Sequence, residues 1–400
     1  MKSSGVLWRA TRRAAIVFLI PLMLTGCWDL FGPWTNAADP YSQYKAELVA
    51  STDSTSGLMS SAGSLSVIPG VGVACYCYDS TTPTSNGMYQ FSKAGSGWAA
   101  PTLLNLPALV GNYDSALGPD GNWYYFVSGG TQGAYTYTLT RLVLPSTTTS
   151  LFTTAPAANF YFGGMAVKAD GTVFFSVTGD FKIYKVTSGG VESVYAGTGT
   201  QGAAGAGDGG SATSAALCGP ASMALAADGS LYFVDEVGWK TTTNGGTQSD
   251  RPILRKIDPS GKLSTVAFNG SGTPGNGDGY PAANASTSAS VIWNRFCFAG
   301  DGTLFYYDGG QVYEIATDGN IYQIAGDSGN ATSAEDWSAT SWDRASNVVF
   351  GKDSAGVWNN AWINDIAYDQ TLGIIYVLNG SYNQSTQKSE GYRIIAVSKR

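Results

Sequence analysis

One pattern recurs along this chain and restricts what it can fold into. An alternating apolar run ends in a tight turn, most often Asp-Gly, and a second apolar run follows at once. The clearest copy spans Met165 to Ala196: MAVKA reaches Asp170-Gly171, then TVFFSV, KIYKV, the turn Ser188-Gly189-Gly190, and VESVYA. Apolar residues at every second position mark a strand with one buried face. Asp-Gly and Gly-Gly between such short runs mark hairpins. The unit returns at Asp228-Gly229, with a second turn at Pro259-Ser260-Gly261, and at Asp301-Gly302, with a second turn at Asp318-Gly319. Weaker copies turn at Asp120-Gly121 and between Asp369 and Gly373, and a degenerate first copy turns at Pro69-Gly70. Six units result, their first turns about 50 to 73 residues apart, with the variation in loops. Some 350 residues exceed the usual length of one hydrophobic core, and repetition removes that difficulty. Four-stranded meanders with no helical pattern between them predict an all-β fold, a six-bladed β-propeller of four-stranded antiparallel blades.

The last unit (WINDIAY, IIYVLN, YRIIAVS) reaches Arg400 with only three strands. A blade left that way would expose a sheet edge. The segment Tyr44 to Ser51 (YKAELVAS) precedes the first unit and is expected to supply the missing outer strand. This N-terminal strand would close the ring, giving a propeller domain over residues 42–400.

The N-terminus carries Lys2, Arg9, Arg12 and Arg13, no acidic residue before Asp29, and an apolar run of eleven from Ala14 to Leu24. A spanning helix needs about 20 apolar residues, whereas a signal-peptide core needs about 7–15. The run ends in Leu24-Thr25-Gly26-Cys27, which resembles the lipobox of bacterial lipoproteins. That resemblance implies a signal peptide over residues 1–26, cleavage before Cys27 and acyl chains on Cys27. The chain would be exported and lipid-anchored in the cell envelope, in the periplasm or at the cell surface. Several acyl chains hold a protein to a membrane stably where one would not. Residues 27–41, with Pro, Asn, Ala and Gly and no periodicity, read as a tether. It spans at most about 50 Å when extended.

Removal of the leader takes four of the 22 basic residues and none of the 29 acidic ones, turning a net −7 into −11. So acidic a chain argues against a nucleic-acid partner. With Cys27 acylated, Cys75, Cys77, Cys218 and Cys297 remain. Cys75 and Cys77 lie two apart on one strand and share a face, a poor geometry for bonding to each other. A Cys218–Cys297 disulfide is one expectation, and four small buried thiols is the other.

Residues 196–268 carry a glycine-rich GDGG-x-A-x-x-A-x-L loop, a Gly-Pro entry, an Asp-Gly turn, a strand ending in Asp235 and a K-x-D-x-x-G turn. This stretch resembles the NHL-repeat propellers. The likeness is strong there, fair over 269–326 and weak before 160 and after 330. The namesake segment departs from the family: EVGWKTTTNGGTQSD stands between Asp235 and Arg251, and the chain has no histidine.

In such a ring the first-to-second and third-to-fourth turns share one face, and they are short here. The second-to-third turns and the links between blades share the other. That face receives the long segments Gly197–Pro220, Glu236–Pro252, Asn269–Ser290 and Gly326–Ala361. Long loops on a rigid scaffold are where binding usually resides. Trp239, Trp293, Trp337, Trp342, Trp358 and Trp362 fall in or beside them, and suit contact with a protein, peptide or glycan, or serve as plugs between blades. The second strands end in Asp235, Asp308 and Asn379, with Asp180 near the matching place. Oxygen donors in a ring suit Ca²⁺; local turn hydrogen bonding is the alternative. Some six-bladed propellers are lactonase- or esterase-like hydrolases built around a channel calcium, so a calcium-dependent hydrolase stands beside the binding reading, and a structural part of an envelope assembly beside both. Without histidine, general-base chemistry near neutrality would need a raised Asp or Glu. No Ser or Cys nucleophile lies in a recognisable motif, and Ca²⁺ is the one cofactor that the oxygen donors suit.

Overall fold

The computed structural model describes residues 43–51, 61–78, 87–104, 115–131, 134–143, 147–154, 161–238, 240–241, 247–248, 251–268, 279–285, 296–308, 310–326, 341–342, 345, 348, 350, 361–383 and 388–400. The leader, Cys27 and the tether lie outside them.

Six four-stranded antiparallel blades stand in a ring. Blade 1 comprises Ser61–Ile68, Gly72–Tyr78, Gly87–Ala94 and Thr102–Leu104; blade 2, Ser115–Leu117, Trp123–Thr131, Ala134–Val143 and Thr147–Thr153. Blade 3 comprises Phe162–Val167, Val173–Val177, Lys182–Val186 and Glu192–Ala196; blade 4, Pro220–Leu225, Leu231–Val237, Arg251–Ile257 and Leu263–Ala267. Blade 5 comprises Phe296–Phe298, Leu304–Asp308, Gln311–Ile315 and Asn320–Ala325. Blade 6 comprises Ala361–Asp369, Ile374–Asn383 and Lys388–Lys399, with Tyr44–Ser51 as its fourth strand. The first strands touch their neighbours in sequence, and that of blade 6 touches that of blade 1.

Alternation decides the packing. Successive side chains of a strand point to opposite faces, so Phe174 packs toward blade 4 while Phe175 packs toward blade 2. The result is six separate hydrophobic clusters, one in each interface between blades.

The closing strand forms as its sequence predicts. Tyr44 pairs with Lys399 and Ser51 with Arg393, across one bulge between Leu48 and Ala50, and Tyr44, Ala46 and Ala50 are buried. Two further ties close the seam: the Asp365 carboxylate accepts the Leu65 amide at 2.7 Å, and Asp369 accepts the Gly70 amide at 3.0 Å.

Blades 4, 5 and 6 share a finer repeat. The incoming link lays a short segment along the outer strand: Ser211 beside Lys262, Tyr280–Pro281 beside Asn320 and Ile321, Ser341–Trp342 beside Ala46 and Glu47. A buried alanine follows each, and its carbonyl accepts the amide at which the link began. These bonds run from Gly197 to Ala212 (3.0 Å), Phe268 to Ala282 (3.0 Å) and Gly326 to Ala345 (3.1 Å). Tyr44–Ser51 therefore stands where Leu263–Ala267 and Asn320–Ala325 stand in their blades. The donating residue needs a left-handed backbone, at φ 93° for Gly197, 58° for Phe268 and 96° for Gly326. Phenylalanine is strained there, and its burial against Tyr306, ring to ring at 5.1 Å, offsets the strain.

At Gly163 the reason for glycine is close approach. A Cβ there would lie 2.5 Å from the Pro220 carbonyl oxygen and 2.6 Å from both Ser176 Oγ and Thr178 Oγ1. Gly163→Ala is expected to push blades 3 and 4 apart and cost about 1–3 kcal/mol, read as a lower midpoint in urea at unchanged slope.

The hairpin turns carry a pH dependence. Hydrogen bonds from Thr172, Ser230 and Thr303 amides hold Asp170, Asp228 and Asp301 below the usual carboxylate range, and the Ser260 hydroxyl does so for Asp258. A carboxylate whose pKa is depressed on folding stabilises the fold above its unfolded pKa of about 4, and that contribution disappears as pH falls through the folded value. The melting temperature is expected to be flat above about pH 5 and to drop below about pH 4; substituting Asn at these four turns should flatten the drop.

Candidate functional site

The two faces of the ring differ as the loop lengths predict. On one, first-to-second turns close tightly, as Gly171 N to Lys168 O (3.0 Å) and Gly302 N to Ala299 O (3.0 Å) show. On the other, second-to-third connections vary widely. Counting from equivalent register pairs, Val177–Lys182 in blade 3 encloses four residues and Asp308–Gln311 in blade 5 encloses two. Cys77–Gly87 in blade 1 encloses nine, Val127–Thr138 in blade 2 ten, Asp235–Ile253 in blade 4 seventeen and Asn379–Arg393 in blade 6 thirteen. In blades 2 and 6 the ladder continues upward, from Ser128–Tyr137 to Thr131–Ala134 and from Gly380–Tyr392 to Asn383–Lys388. Four further residues raise each hairpin by about 13 Å. Blade 4 adds a small hairpin, Lys240–Thr241 with Thr247–Gln248. The face is therefore raised at blades 2, 4 and 6 and notched at blades 3 and 5.

The four oxygen-bearing residues expected near the strand ends have different fates. Asp235, Asp308 and Asn379 occupy equivalent positions and are buried. Asp235 is fully engaged. One carboxylate oxygen accepts the Cys218 and Gly219 amides at 2.8 and 2.9 Å, and the other accepts Arg255 Nη1 at 3.1 Å. Arg255, itself buried, reaches on to the Ala206 carbonyl at 2.8 Å and Asp208 at 2.7 Å. In blade 6 the same work is done with the opposite polarity. Asn379 donates its amide to the Phe350 carbonyl at 3.1 Å and accepts Arg393 Nε at 2.9 Å. Both residues clamp part of an incoming link, Cys218 and Gly219 in blade 4 and Phe350 in blade 6, and both lie against a guanidinium. A divalent cation does not fit where a buried guanidinium already meets the oxygen donor. Asp180 stands apart: exposed on the short turn Thr178–Asp180, it accepts the Tyr184 hydroxyl at 3.0 Å. Among the described residues no three acidic or cysteine side chains converge on one point.

The glycine-rich loop is a compact turn. Asp208 N bonds Gly205 O (3.2 Å), Gly209 N bonds Leu263 O (2.8 Å) and Gly210 N bonds Gly207 O (3.0 Å), so these amides serve the fold and not an anion. Cys218 and Cys297 are free thiols, as are Cys75 and Cys77, which is the undisulfided alternative. Cys218 lies at the end of the link into blade 4, where burial and then the Asp235 charge push its thiol up to about 12; Cys297 sits on the inner strand of blade 5, in the cluster shared with blade 6.

Of the tryptophans, Trp239, Trp293, Trp337 and Trp358 lie outside the described residues. The backbones of Trp342 and Trp362 fall on opposite edges of blade 6. Trp342 lies beside the outermost strand, paired with Ala46, and Trp362 lies on the innermost, paired with Gly380. The residues that sequence reasoning missed are Arg255, Arg393 and Tyr184. Arg255 had a visible signal, a lone cationic residue at a core-facing position of the run ILRKI.

Fold and face together define a six-bladed β-propeller with one elaborated face. No family model and no curated protein matches the chain in sequence. Among solved structures it is similar to a structural genomics protein of unknown function from Bacteroides thetaiotaomicron, at 12% identity and TM-score 0.53, over 89% of this chain and 76% of that one. It is also similar to the soluble aldose sugar dehydrogenase of Escherichia coli, at 13% identity and TM-score 0.47, over 89% of this chain and 100% of that one. A third likeness is to an auxiliary nutrient binding protein from Bacteroides ovatus, at 12% identity and TM-score 0.47, over 82% and 66% of the two chains. At such identities the likeness is one of fold.

Proposed function

We propose that this chain is an NHL-like propeller lipoprotein, anchored to a bacterial envelope membrane through Cys27, that binds a protein, peptide or glycan through its raised face. The observation that carries the reading is the asymmetry of the faces. Connections of ten, seventeen and thirteen residues rise from blades 2, 4 and 6, while the opposite face is closed by short turns. The Asp235 and Asn379 positions are link clamps in this reading, and binding needs no metal. Accordingly, adding millimolar calcium is expected to leave the melting temperature within about 1 °C, as for any ligand without a site on the folded state. A rise of several degrees, with an ion bound in the channel, would favour the calcium-dependent hydrolase instead.

Capture experiments test the binding itself. The acylated protein, isolated from its own envelope, should retain a partner that is lost when residues 128–137 and 238–250 are replaced by short turns. Retention of the same partner after both replacements would remove the face from the reading. For the anchor, Cys27→Ser should abolish labelling by a fatty-acid analogue and release the chain from the membrane fraction; unchanged labelling would place the lipid elsewhere.

A further inference from the structure

The interface between blades 2 and 3 is aromatic beneath the notch. Phe126 meets Phe162 at 5.2 Å and Phe175 at 5.1 Å. Phe152 meets Phe175 at 6.3 Å, and Phe175 stacks on Tyr184 at 5.3 Å with 18° between the planes. Four rings of this cluster, Tyr137, Phe152, Phe162 and Tyr184, are only half-buried. The track thus runs from the innermost strand toward the rim without being sealed from solvent.

Tyr184 stands at the equivalent of Arg255 in blade 4 and of Tyr313 in blade 5. Arg255 is consumed by a buried clamp and Tyr313 is buried, so of these three only the blade 3 residue reaches solvent. Asp180 accompanies it, exposed, with one oxygen on the Tyr184 hydroxyl. The turn that carries Asp180 and leads into the strand of Tyr184 is strained: Phe181 has φ 55°, a left-handed value that a bulky side chain rarely takes. Strain of this kind concentrates at ligand-binding sites. The raised hairpin of blade 2, which walls one side of the notch, carries no charge from Val127 to Tyr137 in a chain of net charge −7.

Resting on the binding reading above, we infer that this notch is a subsite for a neutral saccharide, Tyr184 offering a ring for the sugar's C–H face and Asp180 a carboxylate for two adjacent hydroxyls. An aromatic ring with a polar edge suits a partner that is apolar on one side and hydroxylated on the other. The two oxygens of a carboxylate offer about four acceptor sites, so Asp180 can hold the Tyr184 hydroxyl and take two further donors. An uncharged wall admits a neutral sugar at no desolvation cost for a second charge.

The probe is a printed panel of neutral oligosaccharides, followed by calorimetry with the best of them. Asp180→Asn, an exposed change that should leave folding intact, is expected to weaken binding about tenfold, the loss of one charge-assisted hydrogen bond. Tyr184→Phe keeps the ring and should stay within about threefold, while Tyr184→Ala should lose about tenfold or more. Saturation transfer from tyrosine ring protons to the sugar, present in the wild type and lost in Tyr184→Ala, supports the contact even if that variant is less stable. If no neutral oligosaccharide binds, or one binds equally to the wild type, Asp180→Asn and Tyr184→Ala, the subsite is wrong. Equal binding to all three that disappears when residues 128–137 are trimmed would overturn the subsite while leaving the binding face in place.

Discussion

Arg255→Ala is expected to destabilise the propeller by about 3–5 kcal/mol. Arg255 and Asp235 are both fully buried, and the guanidinium is shared among Asp235, Asp208 and the Ala206 carbonyl. Removing the cation leaves the Asp235 carboxylate in the interior with only the Cys218 and Gly219 amides to hold it. It also removes the ion pair to Asp208 and the bond to the Ala206 carbonyl, two of the ties between that loop and blade 4. Lysine should rescue little, because one ammonium cannot span the donors that a planar guanidinium presents in a fork. Denaturant unfolding of residues 42–400 measures this directly, as a lower midpoint with unchanged slope. A loss below about 1 kcal/mol would mean that water replaces the guanidinium, and that the clamp is not a structural requirement. Asn379 offers the comparison. Its clamp is a neutral amide, so Asn379→Ala should cost less, about 1–3 kcal/mol for the Phe350 carbonyl left without its donor.

A chain that begins at residue 52 is expected not to fold as a monomer. Tyr44–Ser51 pairs along Lys388–Lys399, buries Tyr44, Ala46 and Ala50, and itself carries Ser341–Trp342 on its outer side. Tyr44 also donates to Glu314 at 2.8 Å, and Lys93 pairs with Glu47, so the strand is fastened to blades 5 and 1 as well. Losing a ladder of this length with its buried side chains removes on the order of 5 kcal/mol or more, comparable with the whole stability of many domains. The open edge of blade 6 would then seek another strand. Size-exclusion chromatography should show aggregates or swapped oligomers. A synthetic peptide of residues 41–52 added during refolding should restore the monomer. A truncated chain that stays monomeric and melts cooperatively near the wild-type temperature would show that the seam between blades 6 and 1 suffices alone.

Much of this was readable from local patterns. Asp-Gly turns between short apolar runs identified the hairpins because such a turn joins two adjacent antiparallel strands with few other options. The closing strand was readable because a three-stranded last blade leaves an edge that some segment must cover. The elaborated face followed from loop lengths alone. The third copy of the alanine-anchored link, at Ala345, was hidden because its spacing to the blade is longer and its glycine-rich segment is absent. It shows itself only as a buried alanine whose carbonyl accepts the Gly326 amide, where the link begins.

The roles of the strand-end carboxylates were not readable. Whether Asp235 faces a metal, water or a guanidinium depends on Arg255, twenty residues away on the next strand, and on the loop at Asp208 that folds back over both. Asp180 illustrates the converse, since one short turn separates it from the set it was expected to join and brings it to Tyr184. The sequence by itself determined the six blades, their principal strands and their order in the ring, because alternation and turn chemistry act over a few neighbouring residues. Only the tertiary structure decided which polar groups are consumed by the fold and which meet solvent, because burial and partnership are set by segments that meet only when the ring has closed.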